Sequence, residues 1–439
     1  MKVGFYEREI TPPLGSYIPG YFHIRLGADV KERLYVKAMA VENKGERFGI
    51  VIMDACNHTD ELFDKVRQRV YDFIQLPKDR FIIAATHSHT AVPLGRSDEI
   101  NPCPGDYEYL IKTVADTLIL AFKRLTDCTC RYGKCDEHEV AFVRNFKMKN
   151  GDYFTNPILF DPNIESVFGE LDPRVSVLVF EDMDQNPLGA LVNFACHCDC
   201  VGGNQYSGDF PAIMAKELKK VYGNDFVSVF MQGCAGNINH LTPFEDVDYS
   251  TYYKYMGQKL AADVESVIKA AKPFVAFPVA SDIKTLKLKR RTLPDGMLDD
   301  AHHSIDTIEE DRWRFNNINQ PDDPQIVLHY AKMLVERYED VANPDSVELE
   351  VQVIRFGDCY FYALPGEVFS QYGLKIRAEA PSDKTFISEL GCPGYHDYVP
   401  VPELMNSDNC YEGKFICCTL APGEGMHMTE EIIALSKEL

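Results

Sequence analysis

The chain has 439 residues, 45% hydrophobic and 26% charged, enough apolar material for a large core. Acidic residues outnumber basic ones 67 to 45, for a net charge of −22, which argues against nucleic acid and anionic membrane surfaces as partners. No run of about eighteen apolar residues occurs, so stable membrane insertion is not expected.

The opening Met1-Lys2-Val3-Gly4-Phe5 lacks the apolar core of a signal peptide and reads as the start of a strand. The 14 cysteines in a long chain without a secretory signal read as reduced thiols, and together these features predict a cytoplasmic protein. Strands are predicted at 48–53 and 81–85, both rich in β-branched and aromatic residues. Leu110, Val114, Leu118, Ala121, Phe122 and Leu125 recur at helical spacing. Residues 175–180 and 188–195 read as a hairpin around the turn material at 182–186. A helix is predicted to begin at Asp209, with Pro211 in its first turn. A strand at 226–231 follows, then a helix marked by Met256, Leu260, Val264, Val267 and Ile268. Residues 284–344 are charge-rich and helical in parts, the best place for an inserted lid. Residues 347–356 and 360–364 form a second predicted hairpin about Gly357-Asp358. No internal repeat is visible. Alternating strands and helices predict an α/β fold, a mixed β-sheet core flanked by helices, as a single domain over 1–439.

Residues able to carry chemistry collect at strand ends. Ala85-Thr86-His87-Ser88-His89-Thr90 follows the 81–85 strand; its histidines read either as metal ligands or as a satisfied, partly buried pair. Asn193-Phe194-Ala195-Cys196-His197-Cys198-Asp199-Cys200 ends another strand. Its Cys-x-Cys-x-Cys spacing does not grip zinc, so the thiols read as soft core filling and His197 as the notable group. Gly233-Cys234-Ala235-Gly236-Asn237-Ile238-Asn239 is a turn of small residues that lets backbone approach a ligand. Leu364-Pro365-Gly366-Glu367 closes the second hairpin with a carboxylate. From the residues alone, this constellation supports a metal hydrolase and nothing finer.

In order along nearly the whole chain, these segments resemble the neutral/alkaline ceramidase family. The resemblance is carried by Ile10-Thr11-Pro12-Pro13 with Gly20-Tyr21, by His87-Ser88-His89, and by Asn193 through His197. It continues in Ser207-Gly208-Asp209-Phe210-Pro211, in Leu364-Pro365-Gly366-Glu367, and in Gly394-Tyr395-His396-Asp397-Tyr398 followed by Tyr411-Glu412. It implies Zn2+ held by His87, His197, Glu367 and Tyr398, with Tyr395 the competing choice of tyrosine and a group that faces substrate. Where the family carries a nucleophilic serine, this chain has Asn239, and no counterpart of the family's C-terminal immunoglobulin-like domain is expected.

The implied chemistry is therefore attack by zinc-bound water on an amide of an N-acylated small molecule. An ester or lactone is the alternative substrate, and a catalytically silent ligand- or metal-binding relative the alternative class. His89 is expected to stabilise an oxyanion or shuttle a proton, or else to support its loop; Asn239 is expected to donate to the same oxyanion. Asp209 reads as a partner of a zinc histidine or as a helix cap, and Arg144 as a binder of a polar substrate group or as a surface salt bridge. Homo-oligomerisation is left open.

Overall fold

A computed structural model describes residues 1–92, 106–314, 322–339 and 345–439. Three sheets built on one plan make up its core. The first contains β1 (Lys2–Glu9), β2 (Tyr35–Asn43), β3 (Glu46–Met53) and β4 (Phe81–Ala85). Its order is β4-β3-β2-β1, antiparallel except where β4 returns parallel to β3 after helix α1 (Asp60–Ile74). Helix α2 (Asp106–Phe122) follows.

The second sheet repeats the plan with β5 (Thr129–Asp136), β6 (Arg174–Glu181), β7 (Pro187–Phe194) and β8 (Val227–Gln232). The β6–β7 hairpin is antiparallel, and β8 lies parallel to β7 after α3 (Asp209–Tyr222). Helix α4 (Tyr252–Ala270) packs on α3 and on this sheet's outer face.

The third sheet begins with β9 (Val279–Lys289), followed by the excursion that carries α5 (Met297–Thr307) and α6 (Pro324–Tyr338). It continues with β10 (Ser346–Phe356), β11 (Cys359–Ala363), a short β12 (Glu367–Val368), α7 (Ser370–Glu379) and β13 (Lys384–Ser388). Again an antiparallel hairpin, β10–β11, is followed by a helix and a parallel strand, β13 beside β11. Finally β14 (Tyr398–Val399) pairs with β12, and α8 (Glu424–Glu438) ends the chain.

The first residues of the 284–344 segment, expected to form a lid, are strand. Residues 284–289 pair along β10 as the continuation of β9, because Leu286 and Leu288 alternate into the core. Of the polar stretch 316–324 within the segment, residues 316–321 lie outside the described residues.

One central cluster takes side chains from all three sheets: Phe48, Ile50 and Ile52 from β3, Leu178 and Phe180 from β6, Ile354 and Phe356 from β10. The alternate residues of the same strands, such as Val51, Val177, Val179, Val351 and Val353, face outward under the helices. Burial of both faces explains why β3 and β6 read as continuous apolar runs, whereas β10, which keeps Glu348, Glu350 and Arg355, reads as an alternation. The C-terminal ends of the parallel pairs, β3 and β4, β7 and β8, β11 and β13, lead directly into the segments that carry the site described next. The fold is α/β, with mixed sheets flanked by helices.

Candidate metal centre

His87 stands two residues past β4 with φ +65°, so the strand has ended and its side chain turns inward. Its Nδ1–H donates to the Cys56 carbonyl at 2.5 Å, which leaves Nε2 facing the centre of the site. His197, three residues past β7, has the same arrangement. Its Nδ1–H donates to the carbonyls of Ala235 (2.7 Å) and Ile238 (3.1 Å), leaving Nε2 bare. Backbone carbonyls thus fix both tautomers.

Glu367 enters at β12, held by its own N–H to the Asp397 carbonyl and by the pairing of Glu367 with Tyr398 across β12 and β14. Its Oε2 lies 3.2 Å from His87 Nε2 and 3.2 Å from His197 Nε2. That oxygen is buried and accepts no hydrogen bond. The Tyr398 hydroxyl stands 3.4 Å from His197 Nε2, its ring stacked on the imidazole. A zinc shell with bonds of about 2.0 Å has tetrahedral edges of about 3.3 Å, and these three spacings match such edges.

Electrostatics point the same way. Burial opposes charge on His87, yet the Glu367 carboxylate outweighs it and pushes the imidazole well above its ordinary range. Glu367 is held well below the usual carboxylate range, despite burial, chiefly by His87. Burial and then Arg144 push His197 down to about 3. A proton on His87 can reach Glu367 Oε2 but leaves His197 Nε2 facing that oxygen without one. A cation satisfies all three at once.

His89 lies beside this set, its Nε2 3.3 Å from His87 Nε2 and its Nδ1 3.8 Å from the Asp199 carboxylate. Burial, then His87, hold it well below its ordinary range, so its imidazole is neutral.

The other predicted residues have different places. Arg144 is buried rather than on the surface. It donates to Glu412 at 2.6 Å and to the Gly236 carbonyl at 2.7 Å, and sits 5.4 Å from the Tyr398 ring. Burial and Glu367 push the Tyr398 hydroxyl well above its ordinary value, against the pull of the Arg144 charge. The Arg144 guanidinium thus pairs with Glu412 and the Gly236 carbonyl and faces the Tyr398 ring. Tyr395 turns away from the cluster, donating to the Tyr398 carbonyl (3.0 Å) and accepting from the Thr419 N–H (3.2 Å).

Asp209 meets neither site histidine. Its carboxylate accepts from the Val201 and Phe210 N–H groups at 2.9 and 2.6 Å, and burial pushes it up to about 6. It is the first residue of α3, after Gly208 at the cap position, and backbone carbonyls take the second-sphere role expected of it. The Asn239 amide is engaged with Asn156 (3.0 Å) and the Leu241 N–H (3.0 Å). Cys196 and Cys198 fill the core beside α3 and α4.

Two residues were given no role in the sequence reading of the site, although Glu412 belongs to the quoted Tyr411-Glu412 pair. Glu412 is fully buried against Arg144, Asn145 and Thr155, 268 positions away from Arg144 in the chain. Glu389, also fully buried, follows β13 directly, and the strand-end rule that singled out His87 and His197 would have found it.

No family model matches the sequence, and no curated protein matches it. Solved structures do match the fold. Neutral ceramidase from Pseudomonas aeruginosa superposes with a TM-score of 0.72 at 16% sequence identity, over 100% of this chain and 75% of that one. A ceramidase complexed with C2 gives a TM-score of 0.73 at 16% identity, with the same coverage. The chain therefore has a ceramidase-like fold.

Proposed function

We propose that the protein is a zinc-dependent hydrolase that cleaves the amide bond of an N-acylated small molecule, with His87, His197, Glu367 and Tyr398 holding the metal. One observation carries it: a buried Glu367 oxygen that accepts no hydrogen bond stands 3.2 Å from two imidazole nitrogens whose protons are fixed on their far sides. The amide follows from fold neighbours that are ceramidases. When bound, zinc supplies a polarised carbonyl and a water acidified to near neutral pH.

The protein's own groups then do the rest. His89, neutral and beside His87, accepts a proton at its Nε2 edge and passes it toward the leaving nitrogen. Arg144 favours the ionised form of Tyr398, while Glu412 balances the guanidinium charge. Asn239 gives one amide proton to Asn156 Oδ1, and its second remains free to meet an oxyanion. Among the described residues no helix is long and apolar enough to cross a membrane. The thirteen described cysteines are free, which supports a reducing, cytoplasmic setting.

The test is elemental analysis of protein purified without chelators, beside His197→Ala. About one zinc per chain, lost in the variant, and hydrolysis of N-acylated amines is the expected result. Protein that carries no metal and takes up none on adding zinc overturns it.

A further inference from the structure

Cys56 stands three residues past the end of β3, beside the segment that follows the neighbouring strand β4 and carries His87. Its carbonyl orients His87, but its thiol has no part in the shell described above. One ligand atom each from Cys56, His87 and His89 lie within 4.8 Å of one another. Cys56 and His87 are buried, and His89 is nearly so.

The surroundings hold these groups in place. The His89 Nδ1 is buried with no hydrogen-bond partner. Gly20, at φ +101°, packs on that ring so closely that a Cβ there would lie 2.8 Å from Nδ1. Arg25, 4% exposed, donates to the His89 carbonyl at 2.7 Å and to the Gly203 carbonyl at 3.0 Å. Its Nε is buried and unpartnered, and its charge acts on Cys56.

We propose that Cys56, His87 and His89 form a second, thiolate-bearing face of the metal centre that takes a thiophilic cation. The inference rests on the metal-binding role of His87. On ligation the Cys56 thiol gives its proton to solvent, and the Arg25 guanidinium offsets the charge left on sulfur. His87 has a single bare nitrogen, so the two faces cannot be filled at once. The His197, Glu367 and Tyr398 face offers nitrogen and oxygen donors suited to a hydrolytic ion, whereas sulfur prefers softer ions. A soft ion on the Cys56 face withdraws both His87 and His89 and inhibits turnover.

The test uses cadmium alone, titrated into metal-free protein and read by the ultraviolet thiolate-to-cadmium charge-transfer absorption. Wild type is expected to show the band at the first equivalent, Cys56→Ser and Cys56→Ala to lose it, and His197→Ala to keep it. Circular dichroism of each variant shows whether it is folded. No band in wild type, or an undiminished band in both Cys56 variants, overturns the inference. Zinc uptake that depends on His197 is measured separately, so the two readings fail independently: a cadmium band lost with Cys56 but no zinc dependence on His197 removes only the first. Loss of the cadmium band in folded His197→Ala counts against a separate face.

Discussion

The bare nitrogens of His87 and His197 and the Glu367 carboxylate converge with no proton shared among all three. Glu367→Gln preserves shape but removes the only formal negative charge contributed by these three donors. Zinc affinity is expected to fall roughly 100-fold or more, as measured by competition with a chromophoric chelator. Unchanged affinity would remove Glu367 from the shell. Glu389 raises a different question, because one of its oxygens accepts from both Ala235 N–H (3.1 Å) and Val368 N–H (2.9 Å). It thereby ties the segment whose carbonyl orients His197 to the segment that carries Glu367. Burial pushes its carboxyl up to about 8 from an ordinary 4.5, against the pull of His87. A carboxyl raised in the folded state contributes its stability below about pH 4.5 and loses it as pH rises through 8. In metal-free protein, Glu389→Gln should therefore unfold at the same temperature as wild type near pH 4.5. It should become the more stable form as pH climbs to 8, by about a few kcal/mol. A melting-temperature gap that does not change with pH would show that Glu389 does not titrate in this window.

At the scale of elements, the site depends on how closely the turn after β8 approaches β12. The Gly236 N–H donates to the Val368 carbonyl at 3.0 Å, and a Cβ on Gly236 would lie 2.5 Å from the Glu367 carbonyl oxygen. The obstacle is backbone, which cannot swing away as a side chain does. Gly236→Ala is expected to cost about 1–3 kcal/mol in urea unfolding and to weaken zinc binding as well, because Glu367 shifts with its strand. Stability lost without any change in zinc affinity would separate the turn from the centre. The same elements show how far the sequence could be read. Strands buried on both faces, such as β3 and β6, stand out as apolar runs and β10 as an alternation, and the hairpins at 182–186 and Gly357-Asp358 are marked by their turn residues. The threefold plan of the sheets left no repeat in the sequence, since a hairpin followed by a helix and a parallel strand needs only apolar patterning and turns, not matching residues. Site histidines at strand ends were legible for the same reason that Cys56 and Glu389 should have been. The buried pairing of Arg144 was not, because its partner Glu412 is brought to it only by the folded chain.

At the scale of the molecule, three sheets must hold their C-terminal ends in one place for the donors to meet, and buried polar links between sheets do this. Gln352 of β10 donates to the carbonyls of Asp79 and Phe81, fastening the third sheet to the first. Arg377 of α7 fastens the third sheet to the second. It donates to Asp172 at 2.6 Å, to the Thr385 carbonyl and hydroxyl at 2.9 Å each, and to Asn193 at 3.1 Å. Asn193, at the end of β7 just ahead of His197, in turn donates to Met231 of β8 and Ile387 of β13. Arg377→Met removes the cation and leaves Asp172 buried, at 4% exposure, without its partner. The expected loss is about 3–5 kcal/mol in urea unfolding followed by circular dichroism. Adding Asp172→Asn should restore part of it, because an amide costs less to bury than an unpaired carboxylate. If instead the two losses simply add, the Asp172–Arg377 pair contributes little, and the sheets are held by their shared apolar core alone. That outcome would place the alignment of His87, His197 and Glu367 in the packing of Phe48, Phe180, Phe356 and their neighbours rather than in any polar link.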